Sequence, residues 1–315
     1  MRIANLDEIK LALAGLDLLP AIEAGFMAYA QGRANVPPVG ELLMDQGEVH
    51  IKYGCIEGDP YYVIKIASGF PANAALGRPS GNGMMLLFSQ ETGEPAAVLL
   101  DQGYLTEVRT AVAGAIGAKY LAPRTVTRIG ILGAGVQARF QLEYLRPVVD
   151  CREVLVCGRT PDRLAACARD VEAMGFRVET TTAPADLGPA CNLIVTTTAA
   201  SAPLIHAADL RPGTHVTAIG SDTPEKQELE TAVLARADLV VADSIPQCRL
   251  RGEIFKAMEA GVLHEDSLVE IGTIIAGEAP GRTADDQITV FDSTGVAVQD
   301  IMIARGVYEA LADDA

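Results

Sequence analysis

From Val126 onward the chain repeats one pattern. A short, continuous apolar run is followed by a stretch with helical spacing, and then by another apolar run. The runs are RIGIL (128–132), EVLVC (153–157), FRVET (176–180), NLIVTT (192–197), HVTAIG (215–220), DLVVA (238–242) and QITVF (287–291). Strands that are apolar without alternation are buried on both faces. Helices between them supply the cover, so the pattern predicts a doubly wound α/β domain with a parallel sheet.

The residues before this point have a different texture. Helical patterns cover about 7–14 and 17–31; in the second, Leu18, Ile22, Phe26 and Tyr29 recur at three- and four-residue steps. Strand-like runs follow at 49–56, 61–68, 84–89 and 95–101, and the ETGE turn at 91–94 predicts an antiparallel hairpin between the last two. Between the second and third runs lies GFPANAALGRPSGNG (69–83), too rich in Gly, Pro and Asn for regular structure. Long irregular loops in compact domains are commonly functional or mobile. Residues 104–121 read as a helix rich in alanine and glycine, built for close packing and ended by Pro123. The last helical pattern, 295–311, is expected to cross back to this first part.

The strand RIGIL runs directly into Gly133-Ala134-Gly135-Val136-Gln137-Ala138 and then a helix. This G-x-G-x-x-A pattern between a strand and a helix is a dinucleotide fingerprint. Gly133 permits the tight turn, Gly135 lets the backbone approach a pyrophosphate, and Ala138 lets the helix sit close to the strand. The helix N-terminus offers N–H groups and the positive end of its dipole to the phosphates. NAD-binding folds usually carry an acidic residue at the end of the second strand. Here that end reads Val156-Cys157-Gly158-Arg159-Thr160, and a cation with a hydroxyl suits the 2′-phosphate of NADP over NAD.

Other candidates sit at strand ends or in apolar surroundings. Asp222 follows HVTAIG closely, where it is either a proton carrier or a turn-capping aspartate. Thr196, Thr197 and Thr198 either line a nicotinamide or cap the next turn. Lys52 and Lys65 lie in apolar strand-like runs and Arg109 in an apolar helix. Burying such cations costs several kcal/mol unless they are paired. They would grip a substrate carboxylate, or form internal ion pairs with Glu107, Asp101 or Glu41.

Charge narrows the function further. With 25 Lys+Arg against 41 Asp+Glu, the formal charge is −16, which disfavours nucleic acid and anionic membranes as partners. No apolar run is long enough to span a bilayer, and MRIANLDEIK lacks the basic and apolar regions of a signal peptide. Six scattered cysteines without a C-x-x-C pair suggest a reduced, cytoplasmic protein. Four dispersed histidines give no metal-ligand spacing, so no metal is expected.

Taken together, the chain resembles the ornithine cyclodeaminase/mu-crystallin family over nearly its whole length. The resemblance is carried by Lys65 before the Gly/Pro/Asn loop, Asn73 with Gly77-Arg78-Pro79-Ser80, TGEPAAVLLDQGYLTEVRTAVAGAIGAKYLA (92–122), GAGVQA, AIGSDTPEKQEL, RGEIFKAMEAGV (251–262) and PGRTADDQITVFDSTGVAVQD (280–300). It implies a Rossmann-type domain over 119–294. It also implies a smaller mixed α/β domain over 1–118, joined by the helix 295–315, that binds substrate and forms a homodimer. It further implies NAD(P)-dependent hydride transfer at the α-carbon of a small amino or imino acid. Lys65 and Arg109 would meet the substrate carboxylate, with Lys65 also near the reacting carbon, and Asp222 would be the acid/base. Ser80, Gly133, Ala134, Gly135, Val136, Gln137, Arg159, Thr160, Thr197 and Gly295 would touch the coenzyme.

Relatives of this family also run a redox-neutral reaction that oxidises an amine, closes a ring, expels ammonia and returns the hydride. Others dehydrate hydroxyproline, and a crystallin-like member serves as a binding protein. The Pro-Arg usual in cyclodeaminases is replaced here by Val36-Pro37-Pro38-Val39-Gly40, Lys52 is expected to supply the missing charge, and Arg78 stands where leucine is usual. These departures point away from ornithine itself as the substrate.

Overall fold

The chain divides inside a helix. In the computed structural model, which describes residues 1–313, one unit comprises Met1–Arg109 with the residues from Val296 on, and the other comprises Thr110–Gly295. The helix Tyr104–Leu121 is unbroken across that point, whereas the expected boundary, 118/119, lies near its end.

The first unit contains β1 (Arg2–Ala4), α1 (Leu6–Leu13), α2 (Leu18–Ala30), β2 (Ala34–Asn35), β3 (Gly40–Met44), β4 (Gly47–Ile56), β5 (Tyr61–Gly69), β6 (Gly81–Ser89), β7 (Pro95–Leu99) and the start of α3 (Tyr104–Leu121). Its sheet runs β1-β7-β6-β5-β4-β2 with β3 also on β4; β1 is parallel to β7 and the other pairs are antiparallel. The expected β6–β7 hairpin is present. The Gly/Pro/Asn segment holds a 3-10 helix at Pro71–Leu76, and the flanking strands reach further into it than expected.

The second unit contains β8 (Ile129–Leu132), α4 (Val136–Leu145), β9 (Glu153–Cys157), α5 (Pro161–Ala173), β10 (Arg177–Thr181), α6 (Leu187–Ala190), β11 (Leu193–Thr196), β12 (Ser201–Ile205), β13 (His215–Ala218), β14 (Gln227–Leu229), α7 (Thr231–Arg236), β15 (Leu239–Ala242), α8 (Ile245–Cys248), α9 (Gly252–Glu259), β16 (Leu268–Glu270), α10 (Ile271–Ile275) and β17 (Thr289–Asp292). All seven apolar runs become strands of one parallel sheet ordered β10-β9-β8-β11-β13-β17-β15-β16. This is the doubly wound, Rossmann-type architecture that the alternation predicts. Its two faces carry separate cores. One gathers Ile194, Val216, Val240 and Val290; the other gathers Ile129, Ile131, Val154, Val156 and Val195 with Ala138 and Leu142 of α4. Burying each such side chain is worth about 1.5–3 kcal/mol. The small residues of α3 do allow close packing. A Cβ on Gly117 would lie 2.4 Å from the Phe291 ring.

The chain ends in α11 (Ala297–Asp313), which packs on α1, α2 and the β4–β6 part of the first unit's sheet. Among the described residues no single helix is long and apolar enough to cross a membrane; only the bent pair α1–α2 has the combined length and composition, and it buries Ile9, Ile22 and Phe26.

One buried ring ties stability to pH. His215 is fully buried, with Nδ1 2.8 Å from Thr289 Oγ1 and Nε2 2.9 Å from Thr217 Oγ1. Burial, with the charge of Arg282, pushes it down to about 3. The folded chain therefore keeps the ring neutral, while the unfolded ring takes up a proton near its ordinary pKa of about 6.5. Its contribution is complete above about pH 6.5 and drains away as the pH falls towards 3, by about 2 kcal/mol at pH 5. Urea titrations at neutral pH and near pH 5 should show His215→Gln losing less stability on acidification than the wild type. Equal losses would contradict this role.

Candidate active site

β8 and β11 are neighbours at the centre of the parallel sheet, and the chain builds outward from them in opposite directions. Ligands in such sheets bind at this switch point, beyond the carboxyl ends of the strands. A cavity of about 390 Å³ opens there. It is lined by Gly133, Ala134 and Gly135 after β8, by Gly158, Arg159 and Thr160 after β9, by Arg163 on α5, by Thr182 and Pro184, and by Thr197–Ala200 after β11.

The two glycines of the fingerprint answer to different neighbours. Gly133 has φ +121° and its N–H donates to Cys157 O; a Cβ there would sit 2.4 Å from Thr197 Oγ1, whose hydroxyl donates to Leu132 O. Protein packing alone therefore demands glycine at 133. Gly135 is the opposite case, since a Cβ on it would meet nothing within 4 Å. Nothing in the protein requires glycine there, but a ligand lying against the backbone would. Gly135 is the N-cap of α4 and offers no side chain to the helix's first N–H groups. An open backbone at the N-terminus of a helix fits a pyrophosphate.

The far end of the cavity carries cations and a hydroxyl. Arg159 and Arg163 are exposed, and neither makes an ion pair among the described residues. Thr160 is the N-cap of α5, yet its side chain makes no capping bond. No acidic residue lines the cavity.

Next to β11 in the sheet, β13 leads through Gly220 to Asp222. The Asp222 side chain is about a third exposed, and its Oδ1 accepts from Lys226 Nζ at 2.6 Å. Arg251 holds the Asp222 carbonyl at 3.2 Å. Behind this loop lies Glu228, fully buried, which binds Thr198 and Gly220. Burial pushes its carboxyl up to about 7 against the pull of its donors, and that of the adjacent Glu253 up to about 8. Among the described residues no group of His, Cys, Asp and Glu is placed to hold a metal ion.

The first unit gathers the three expected cations. Lys52 and Lys65 stand directly opposite each other on β4 and β5, so both point to the same face of the sheet. Both are buried, as is Arg109 on α3. Asp300, in the first turn of α11, reaches Lys65 Nζ at 3.3 Å and Arg109 Nε at 3.0 Å, and Gln299 accepts from Arg109 at 2.8 Å. This shared counter-ion is not among the expected Glu107, Asp101 and Glu41. Glu41 lies beside His50 at 3.1 Å, and Asp101 accepts from the Leu105 N–H at the start of α3.

Two of the expected coenzyme contacts, Gly295 and Ser80, are not in the lining of this cavity. Gly295 is buried with φ +82°, and its N–H donates to Asp243 at 2.6 Å, so its backbone serves the protein interior. Ser80 is exposed on the loop of the first unit, its carbonyl taken by the Phe70 N–H. Val136 and Gln137 open α4 beside the cavity without lining it, and Gln137 accepts from Gln141. Arg163, Thr182, Asp300 and Glu228 are additions. Arg163 lies four residues beyond Arg159, in the first turn of α5, and was legible by that nearness; the others have no local signal.

A family model, the ornithine cyclodeaminase/mu-crystallin family, matches residues 2–315. The chain belongs to this family. It is 42% identical over 299 residues to an uncharacterised cyclodeaminase of Sinorhizobium fredii, covering 93% of this chain and 90% of that one. Among solved structures it resembles an archaeal alanine dehydrogenase dimer with bound NAD (TM-score 0.92, 34% identity, 100% of this chain and 97% of that chain). It also resembles the Thermococcus litoralis Δ1-pyrroline-2-carboxylate reductase in complex with NADH and L-proline (TM-score 0.93, 26% identity, 100% and 98% covered).

Proposed function

We propose that this family member is an NADP-preferring oxidoreductase that moves a hydride at the α-carbon of a small amino or imino acid, as a ketimine reductase or amino-acid dehydrogenase does. The observation that carries this is the open backbone at Gly135 above the N-terminus of α4, in a cavity at the sheet's switch point. The relatives with NAD or NADH bound support a nicotinamide coenzyme. When bound, that coenzyme supplies or accepts the hydride. Gly133, Ala134 and Gly135 would hold its pyrophosphate, and Thr197 and Thr198 would face its nicotinamide half. Lys65, Arg109 and Lys52 are assigned to the substrate carboxylate, and Asp222 to the proton that accompanies the hydride.

The preference for NADP rests on Arg159, Thr160 and Arg163 in an acid-free lining. A 2′-phosphate would draw charge-assisted hydrogen bonds worth about 1.5–3 kcal/mol each. Replacing both arginines by alanine should weaken NADPH binding by roughly a hundredfold or more and leave NADH binding nearly unchanged. Fluorescence titration with both coenzymes decides it; equal losses for the two would count against a 2′-phosphate site.

The homodimer is assigned to the outer face of the first unit's sheet. Opposite the face that carries Lys65, the side chains Ile51, Ile64, Ile66, Met84 and Leu86 form a half-buried apolar patch across three strands. Apolar patches of this kind mark association surfaces, and the alanine dehydrogenase relative is a dimer. Light scattering of Ile64→Glu should report a monomer; an unchanged dimer would place the interface elsewhere.

A further inference from the structure

Among the described residues Glu228 has no counter-cation, and it is completely buried. A lone buried carboxylate is costly, so its four neutral donors matter. Oε1 accepts from the Thr198 N–H at 2.6 Å and from Thr198 Oγ1 at 2.7 Å. Oε2 accepts from Thr196 Oγ1 at 2.7 Å and from the Gly220 N–H at 2.9 Å. The four bonds use both oxygens of the carboxyl group as acceptors of backbone N–H groups, which an amide side chain of the same size does not reproduce. They join two separate segments. Thr196 ends β11 and is followed by Thr197 and Thr198, which line the cavity, whereas Gly220 follows β13 and lies two residues before Asp222.

The two segments are in tight contact. A Cβ on Gly220 would fall 2.1 Å from the Thr198 carbonyl, so only the bare backbone fits between Thr198 and the carboxylate. The carboxylate itself is held from behind. Glu253 on α9 accepts from the Glu228 and Leu229 N–H groups at 2.6 and 3.1 Å, which fixes β14 and hence the Glu228 side chain.

We propose that Glu228 is a positioning residue of the candidate active site, a single buried carboxylate that fastens the Asp222 loop to the cavity-lining loop after β11. This rests on the assignment of Asp222 as the proton carrier. The chemistry explains why glutamate is needed. Glutamine offers one acceptor oxygen, and its NH2 group would face a backbone N–H at either Thr198 or Gly220. Either way one fastening is lost, and Asp222 is no longer held at a set distance from the reacting carbon. Misplacement of about 1 Å can cost a hundredfold in rate.

The test is a double-mutant cycle in the full-length protein, with coenzyme affinity and kcat both measured on a reducible cyclic imine. Glu228→Gln should lower kcat by roughly ten- to hundredfold and change NADPH affinity by less than about threefold. In an Asp222→Asn background the same substitution should have almost no further effect on kcat, because the group it positions is gone. A purely structural role would multiply the two losses, and that result overturns the proposal. So does Glu228→Gln with wild-type kcat while Asp222→Asn is impaired; the assignment of Asp222 then survives without the clamp. Full turnover by Asp222→Asn would instead remove that assignment, and the clamp's purpose with it.

If Glu228→Gln does not fold, as read by thermal melting, Thr196 carries the same cycle. Thr196→Val removes one donor to Oε2 and should lower kcat several-fold, whereas Thr196→Ser keeps the hydroxyl and should not. Equal rates for the two variants would also overturn the clamp.

Discussion

Asp222→Asn should retain coenzyme and lose turnover by a factor of about 10²–10⁴, the range expected when a positioned acid/base is removed. The substitution keeps the size of the side chain and an oxygen that can still accept from Lys226. It removes only the capacity to give and take a proton. Asp222 does not line the cavity that the coenzyme would occupy, so titration with NADPH should give the wild-type affinity. Reading kcat and binding on the same preparation separates chemistry from folding. Equal turnover in both proteins would remove Asp222 from the reaction and return it to the role of a turn aspartate paired with Lys226.

The second large effect concerns Asp300. Arg109→Met leaves this carboxylate buried with one of its two cations gone, and breaks the bond to Gln299 as well. Removing one partner of a buried ion pair typically costs 3–5 kcal/mol, because the remaining charge stays desolvated. We expect a loss of about that size in urea titrations followed by circular dichroism. Adding Asp300→Asn should restore part of it, since the orphaned charge disappears with the second substitution. A single variant as stable as the wild type would show that Asp300 is adequately held by Lys65 alone. Substrate affinity should fall with Arg109→Met and should not return with Asp300→Asn, because the arginine's assigned partner there is the substrate.

The parts of the site made from neighbouring residues were legible in the sequence, and those assembled from distant segments were not. The strand, glycine turn and helix from Ile129 to Leu145 follow from residues that are neighbours in the chain, so spacing alone located the cavity at the switch point. Lys52 opposite Lys65 is also a short-range consequence, set by the hairpin between β4 and β5. Asp300 meets Arg109 from the far end of the chain, across a separation that no periodicity reports. Glu228 sits on the three-residue strand β14, too short for any apolar pattern, and its partners lie at and beyond the ends of two other strands. Strand β3 escaped because four of its five residues are exposed, which leaves no apolar face for a pattern to mark. The bond from the Gly295 N–H to Asp243 likewise joins segments far apart in the chain, and only the fold reveals it.

The most direct measurement is a stoichiometry. Purified protein is given NADPH and a panel of cyclic imines and 2-oxo acids with an amine source, and coenzyme oxidised is compared with amino acid formed. Net redox chemistry predicts one NADPH consumed for each amino acid produced, with the imine substrate lost in step. Ammonia released from a diamino acid while the coenzyme pool stays constant would contradict it, and would make the chain a redox-neutral lyase of the same family.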